Sequence, residues 1–504
     1  MAIHNVLDWL FANAESQPDK LAFCDESTSI SFGETADIAR RMGTLLARRF
    51  GSQSNPIAVF VDRDARCICS FFGIAASGNF YVPIDSSQPV GRIESIVQQM
   101  RPRAVIVFDR EAGDVPDGFQ DTEVIRYEDA LAVEPDGSLL DAIRTAALDV
   151  DPLYAICTSG STGVPKGVLI SHRSVLDFIP EFCDAFGFES DDVFGNQAPF
   201  DFDVSVKDIY STLYLSATLH VVPRKCFSMP KLLAPFLDER GVTTIVWAVS
   251  ALSIVSGFKA FKYQVPSKLK NVLFSGEVMP IKHLRYWQET LPGALFVNLY
   301  GPTEITCNCM YYIVDREFEL DEKLPLGKTF ANERVYVLGE NDEPAQPGQT
   351  GELCVAGTCL ALGYYRDPER TAKAFVSNPL NHDYVELIYR TGDLVRVTED
   401  GQIVYAGRKD FQIKHMGHRI ELEELEVHTN AVDGVTRACC LFNERRNKIV
   451  CCYVGTCNSD EIVVALGRSL PKYMIPNVYH QLEVMPLTKN GKIDRKALTE
   501  EFIQ

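Results

Sequence analysis

From Tyr154 to Gly167 the sequence reads Tyr-Ala-Ile-Cys-Thr-Ser-Gly-Ser-Thr-Gly-Val-Pro-Lys-Gly, an apolar strand entering a loop rich in Gly, Ser and Thr that closes on a lysine. Gly160 and Gly163 let backbone N–H groups approach an anion. The hydroxyls of Thr158, Ser159, Ser161 and Thr162 add donors, and Lys166 adds a mobile positive charge. The two glycines lie too close together for a Walker A loop, and Lys166 follows Pro165. The chemistry is therefore phosphate binding by another kind of loop, against the plainer reading of a polar surface turn. Further on, Glu304 is a hard-oxygen donor suited to Mg²⁺.

Such residues need rigid elements to hold them. Segments 21–23 and 29–32 read as short strands. Segment 34–50 places Ile38, Met42, Leu45 and Leu46 on one helical face. Residues 56–61 form a buried-strand run, 65–76 a helix and 104–108 a further strand, an alternation that argues for parallel α/β layers. Past Asp410 the pattern becomes a compact strand–helix–hairpin–helix unit, with helices expected at 423–432 and 460–470. The expected division is a body over 1–409 and a small lid over 410–504, joined by a short hinge. Cys439-Cys440 and Cys451-Cys452 flank a polar turn. Adjacent strand residues face opposite ways, so these thiols read as a hairpin rather than a zinc site.

Composition narrows the function classes. The 504 residues are 46% hydrophobic and 23% charged, which is globular and excludes a disordered or fibrous chain. Lys plus Arg number 49 against 68 Asp plus Glu, giving −19. That surface repels nucleic-acid phosphates and anionic lipid, so neither is an expected partner. No apolar run reaches the ~20 residues of a membrane span. The N-terminus lacks a basic start with an apolar core, and the 15 cysteines are expected as reduced thiols in the cytoplasm.

Further motifs follow in order: Asn298-Leu-Tyr300-Gly301-Pro302-Thr303-Glu304; Gly351-Glu352-Leu353; Gly363-Tyr364-Tyr365; Tyr389-Arg390-Thr391-Gly392-Asp393; Gly407-Arg408-Lys409-Asp410, then Lys414 and Gly417-His418-Arg419-Ile420-Glu421; and Asn490-Gly491-Lys492-Ile493-Asp494-Arg495. With the phosphate loop, this series resembles that of the ANL superfamily of adenylate-forming enzymes over essentially the whole chain. The resemblance implies a mixed α/β fold, with a large N-terminal body of layered α/β subdomains and a small α+β C-terminal lid. It implies ATP and Mg²⁺ as cofactors. A carboxylic acid attacks the α-phosphate of ATP to give an acyl-adenylate and pyrophosphate, and a thiol then consumes the adenylate. Two anions must meet, so the site must supply positive charge.

By the same resemblance, Lys492 bridges the acid and the phosphate, Thr303 donates to the α-phosphate and Glu304 holds the metal. Tyr300 stacks on adenine with Asn298 and Gly301 beside it, and Gly276, Glu277 and Val278 border the base. Asp393 accepts the ribose hydroxyls, with Arg408 nearby. Asp410 is the hinge. After the first step the lid turns, withdrawing Lys492 and bringing 414–419 to the cleft with Gly417 lining the thiol channel. His415 and His418 read as surface or channel residues.

The acid pocket falls at 196–205, where Asp203, followed by Val204, matches the carboxylate that amino-acid-activating members pair with a substrate ammonium. This wording, with Phe274-Ser275-Gly276-Glu277-Val278-Met279-Pro280, most resembles free-standing ligases that load a separate carrier protein with D-alanine for teichoic acid modification. A phosphopantetheinylated carrier acting in trans is the expected partner, since no carrier segment follows Gln504. Ser275 departs from their usual Cys, and Cys307 stands where Val is more usual. L-alanine, glycine and serine, in natural-product pathways, stay open beside D-alanine. An acyl-CoA synthetase and a nucleotide sensor without catalysis are the rival classes.

Overall fold

The structure, a computed structural model, describes residues 4–109, 115, 119, 122–160, 163–488 and 492–503. Two large sheets dominate them. One has nine strands, of which Leu21–Cys24, Thr218–Val221, Val193–Asn196, Thr244–Ala248, Asn271–Ser275 and Leu295–Tyr300 pair in parallel in that spatial order. The other has seven. Its parallel part runs Pro152–Thr158, Phe80–Asp85, Pro56–Val61, Ala104–Val107, Glu123–Arg126, and Lys166–Ser171 and Gly363–Tyr364 extend it antiparallel. Pro56–Val61 is buried at every position, as its unbroken apolar run requires for a strand covered on both faces.

Phe23, Leu219 and Leu273 of the first sheet share one buried apolar cluster with Ile57, Tyr81 and Ile156 of the second. The helices Phe32–Phe50, Ala65–Ala76 and Val204–Leu215 fill the space between. Ala65–Ala76 buries every residue but Arg66, the mark of a helix enclosed between layers. The 34–50 expectation starts too late: Ser31 and Glu34 form a reciprocal capping box, which draws Phe32 into the helix and leaves Ser29–Ser31 as the strand.

A third, antiparallel sheet of five strands (Glu333–Leu338, Thr350–Gly357, Phe375–Ser377, Leu387–Val397, Ile403–Arg408) carries Thr391, Asp393 and Arg408. Beyond it come the hairpin Gln412–His415/His418–Glu421, the helix Leu422–Asn430 and the hairpin Val435–Asn443/Lys448–Gly455. The helix Ser459–Leu466, the strand Val478–Gln481 and the helix Arg495–Phe502 complete the chain, the last two unanticipated. The helix expected at 460–470 is Ser459–Leu466, followed by tighter turns through Arg468 and Ser469, and the 423–432 helix stops at Asn430. These residues pack around clusters of their own. Register places Cys439 opposite Cys452 and Cys440 opposite Cys451, one pair in each cluster on opposite faces of the hairpin. Among the described residues no helix is long and apolar enough to cross a membrane.

Candidate functional site

The two large sheets and the hairpin Gln412–His415/His418–Glu421 meet at Glu304, which lies in the single helical turn Thr303–Ile305 after the strand Leu295–Tyr300. Gly301 lets that turn fold back: a Cβ there would sit 2.5 Å from Asn308 Cα. Glu304 is wholly buried. Its Oε1 lies 3.1 Å from Lys166 Nζ and accepts from Tyr364 Oη at 2.8 Å, while Oε2 accepts from Arg419 Nη1 at 2.7 Å. Burial works to raise this carboxyl, but Arg419 and Lys166 outweigh it and hold it below the ordinary carboxylate range.

The phosphate loop is the turn of an antiparallel hairpin, with Thr158 opposite Lys166. Lys166 is buried, and burial lowers its ammonium. Ser159 Oγ donates to the Arg419 carbonyl at 2.6 Å, and Gly163 N–H donates to Gly160 O at 2.9 Å. Thr158 Oγ1 is buried without a hydrogen-bond partner among the described residues, an orphan donor at the loop. Ser161 and Thr162 lie outside the described residues, as do Asn490 and Gly491 of the last motif.

Asp393 is buried on the third sheet, where Tyr300 Oη donates to its Oδ2 and Arg408 Nη1 donates to its Oδ1 at 2.7 Å. The expected ribose acceptor is thus held by protein donors here. The Lys414 ammonium lies 5.8 Å from the Tyr300 ring centroid. Asn298 Nδ2 donates to Pro325 O at 2.9 Å. At Gly276, φ +96°, a Cβ would meet nothing within 4 Å, so the backbone borders open space; Val278 beside it is exposed. Arg408 also grips Asp410 through both carboxylate oxygens, at 2.8 and 2.6 Å.

Asp203 begins the helix Val204–Leu215 yet makes no capping bond with its side chain. It is 6% exposed, and burial raises its carboxyl above the usual range against Lys207 and a hydrogen bond from Thr303. Cys307 Sγ donates to the Asp203 carbonyl at 3.3 Å. Cys307 and Thr306 take φ of +76° and +55°, rare for side-chain-bearing residues and characteristic of ligand clamps. Tyr154 is buried beside Cys307, Ser275 is buried at its strand end, and Val204 is buried beside Asp203.

The structure therefore gathers Lys166, Thr303, Glu304, Asp203 and Cys307 in one place, and Tyr300, Asp393 and Arg408 in an adjoining one. Lys492 is not with them: it is exposed, and among the described residues it has no ion pair. The segment 414–419 stands at the cleft instead. Gly417, φ +83°, donates its N–H to Glu277 Oε1 at 2.7 Å, and a Cβ on it would press Ser250 Oγ at 2.9 Å. His418 stacks on Tyr473 at 3.6 Å, and His415 bonds the backbone of Tyr473 and Asn447.

Sequence reading placed Arg419 at the cleft only as part of the segment 414–419, and left Tyr364 and Lys207 without roles at the site. Lys207 is buried, donating to Asn308 Oδ1 at 2.6 Å. A lysine one helical turn after Asp203 was the available signal.

This geometry has counterparts among known proteins. The description "AMP-binding enzyme" belongs to the family that matches residues 10–365, well over half of the chain. The chain belongs to this family. Among its curated relatives is the D-alanine--D-alanyl carrier protein ligase of Lacticaseibacillus casei (strain BL23), 31% identical over 513 residues that cover 99% of each protein. A mycosubtilin synthase protein of Bacillus subtilis is 34% identical over 96% of this chain, which spans only 19% of that protein. An NRPS protein containing adenylation and PCP domains, solved with a vinylsulfonamide inhibitor, superposes with a TM-score of 0.83 at 25% identity over 99% of this chain and 84% of its own. Family membership makes the chain an adenylate-forming enzyme of mixed α/β fold that activates an acid with ATP.

Proposed function

We propose that the protein activates a small amino acid, D-alanine first, as its adenylate and transfers it to the phosphopantetheine thiol of a separate carrier protein. The observation that carries this reading is Asp203, a buried carboxylate hydrogen-bonded by Thr303 beside Glu304. A ligand ammonium there supplies the counter-charge that burial demands. The substrate carboxylate forms a bond to the α-phosphorus, and the bond to pyrophosphate breaks. A thiolate then attacks the carbonyl carbon, and AMP leaves with the C–O electron pair.

Lys166 and the loop N–H groups suit the phosphates, Asp393 and Arg408 the ribose, and Gly276 the base. Glu304 would hold Mg²⁺ through its carboxylate, a hard-oxygen donor suited to that ion. Both its oxygens are claimed by Lys166, Tyr364 and Arg419 here, so metal loading requires Arg419 to withdraw. When bound, the ion neutralises charge on the nucleotide phosphates.

The position of 414–419 matches the thiol-transfer step, with Lys492 withdrawn, and Asp410 serves as hinge between 1–409 and 410–504. ATP–pyrophosphate exchange against a panel of acids tests the reading. Exchange with small amino acids alone is expected. Exchange with fatty or aryl acids would point to an acyl-CoA synthetase, and exchange with none to a nucleotide sensor.

A further inference from the structure

Arg92 and Glu424 form an ion pair across the junction between body and lid, Nη1 to Oε1 at 2.6 Å, with side chains 7% and 0% exposed. Each partner is fixed in its own core. Arg92 lies on the helix Val90–Met100, whose Ile93, Ile96, Val97 and Met100 pack with Ala58 and Phe80 of the seven-stranded sheet. Glu424 lies on the helix Leu422–Asn430, whose Leu422 and Leu425 pack with Ile449 and Tyr453. The pair sits outside the nucleotide and acid pockets and takes no part in the chemistry above.

Its surroundings are tightly fitted. A Cβ on Gly91 would lie 3.1 Å from Arg468 O and 3.4 Å from Ser469 Cα, so the first turn of the body helix abuts the lid backbone. Gly163 of the phosphate loop faces Val427 of the same lid helix, with a Cβ there 3.1 Å from its Cγ1. Among the described residues Glu424 Oε2 has no hydrogen-bond partner, and Arg92 is the residue that forms an ion pair with this carboxylate in the docked lid.

We propose that Arg92–Glu424 is a positioning lock that holds the lid in the orientation presenting 414–419 to the cleft, and so serves thiol transfer but not adenylation. This rests on the function proposed above. The pair is buried only while the lid docks this way; once the lid turns, both charges return to water and neither penalises the other state. Removing one charge therefore leaves the other buried and unpaired in the docked state alone, which shifts the equilibrium away from it. An intact buried pair contributes little net stability, because desolvation offsets attraction. The lock can thus release on every turnover.

The test compares Arg92→Met, Arg92→Lys and Glu424→Gln with the parent enzyme. ATP–pyrophosphate exchange with the best amino acid should stay within about twofold, while thiolysis of the adenylate by pantetheine should fall about tenfold or more in Arg92→Met and Glu424→Gln. Arg92→Lys should recover most of the transfer rate. Amide hydrogen exchange of the free protein should quicken across residues 414–430 in the two disabled variants, with the 56–61 strand unchanged. Equal loss of both half-reactions, unchanged thiolysis or unchanged amide exchange would overturn the lock. If the parent enzyme exchanges pyrophosphate with no acid, the functional reading fails, while the amide-exchange comparison still decides the lock.

Discussion

Asp203 and Glu304 are neighbouring buried carboxylates that the protein treats oppositely. Glu304 meets Lys166 and Arg419 and is held below the usual range; Asp203 is dominated by burial and pushed above it. A raised carboxyl loses its charge earlier as pH falls, so an ammonium ligand loses its partner while exposed aspartates are still ionised. Acidification should therefore raise KM for the amino acid in pyrophosphate exchange, starting above the ordinary aspartate range, with KM for ATP much less affected. A parallel rise in both would show that Asp203 is not the titrating group. Lys166 was legible from the glycines and hydroxyls of its loop, and Asp203, Glu304 and Asp393 from the resemblance of their ordered motifs to those of the ANL superfamily. Arg419 as the partner of Glu304 was not: the two are 115 positions apart, and no local pattern encodes such a pair.

Among the elements, the turn after Leu295–Tyr300 sets the site. It folds back so tightly at Gly301 that an added methyl would overlap Asn308 Cα and Cys307 O. Gly301→Ala should cost about 1–3 kcal/mol in chemical unfolding and cut pyrophosphate exchange more than Ala substitutions elsewhere on that strand. Wild-type stability and activity would contradict this role. The turn also shows where periodicity runs out. Apolar runs such as 56–61 and 65–76 announced their elements to the residue, because burial on both faces or all round leaves an unbroken apolar record. Helix ends drifted by a few residues, since caps such as Ser31–Glu34 and Asn458–Glu461 decide them by hydrogen bonds rather than by hydropathy. The strand Val478–Gln481 was missed because its side chains are half-buried or exposed and carry no apolar alternation.

Across the whole molecule, Lys414 and Arg419 stand in the cleft while Lys492 is exposed, and in the function proposed above the two sets of cations take turns there. Lys492→Ala should abolish adenylate formation yet leave thiolysis of a supplied aminoacyl-adenylate within about threefold, since the group acts on one barrier only. Loss of both steps together would contradict a turning lid. The sequence carried both cation sets as motifs, but not the orientation that chooses between them, which depends on a docking surface assembled from distant residues such as Arg92 and Glu424.

The most direct measurement compares pyrophosphate exchange by the parent enzyme and Asp203→Asn, each with alanine and with propionate, its analogue lacking the amino group. The parent should exchange with alanine and not with propionate, and Asp203→Asn should lose at least about a hundredfold in kcat/KM for alanine, the scale of an unpaired buried charge. Exchange with propionate by the parent, or undiminished alanine exchange by Asp203→Asn, would show that the pocket does not select an amino group.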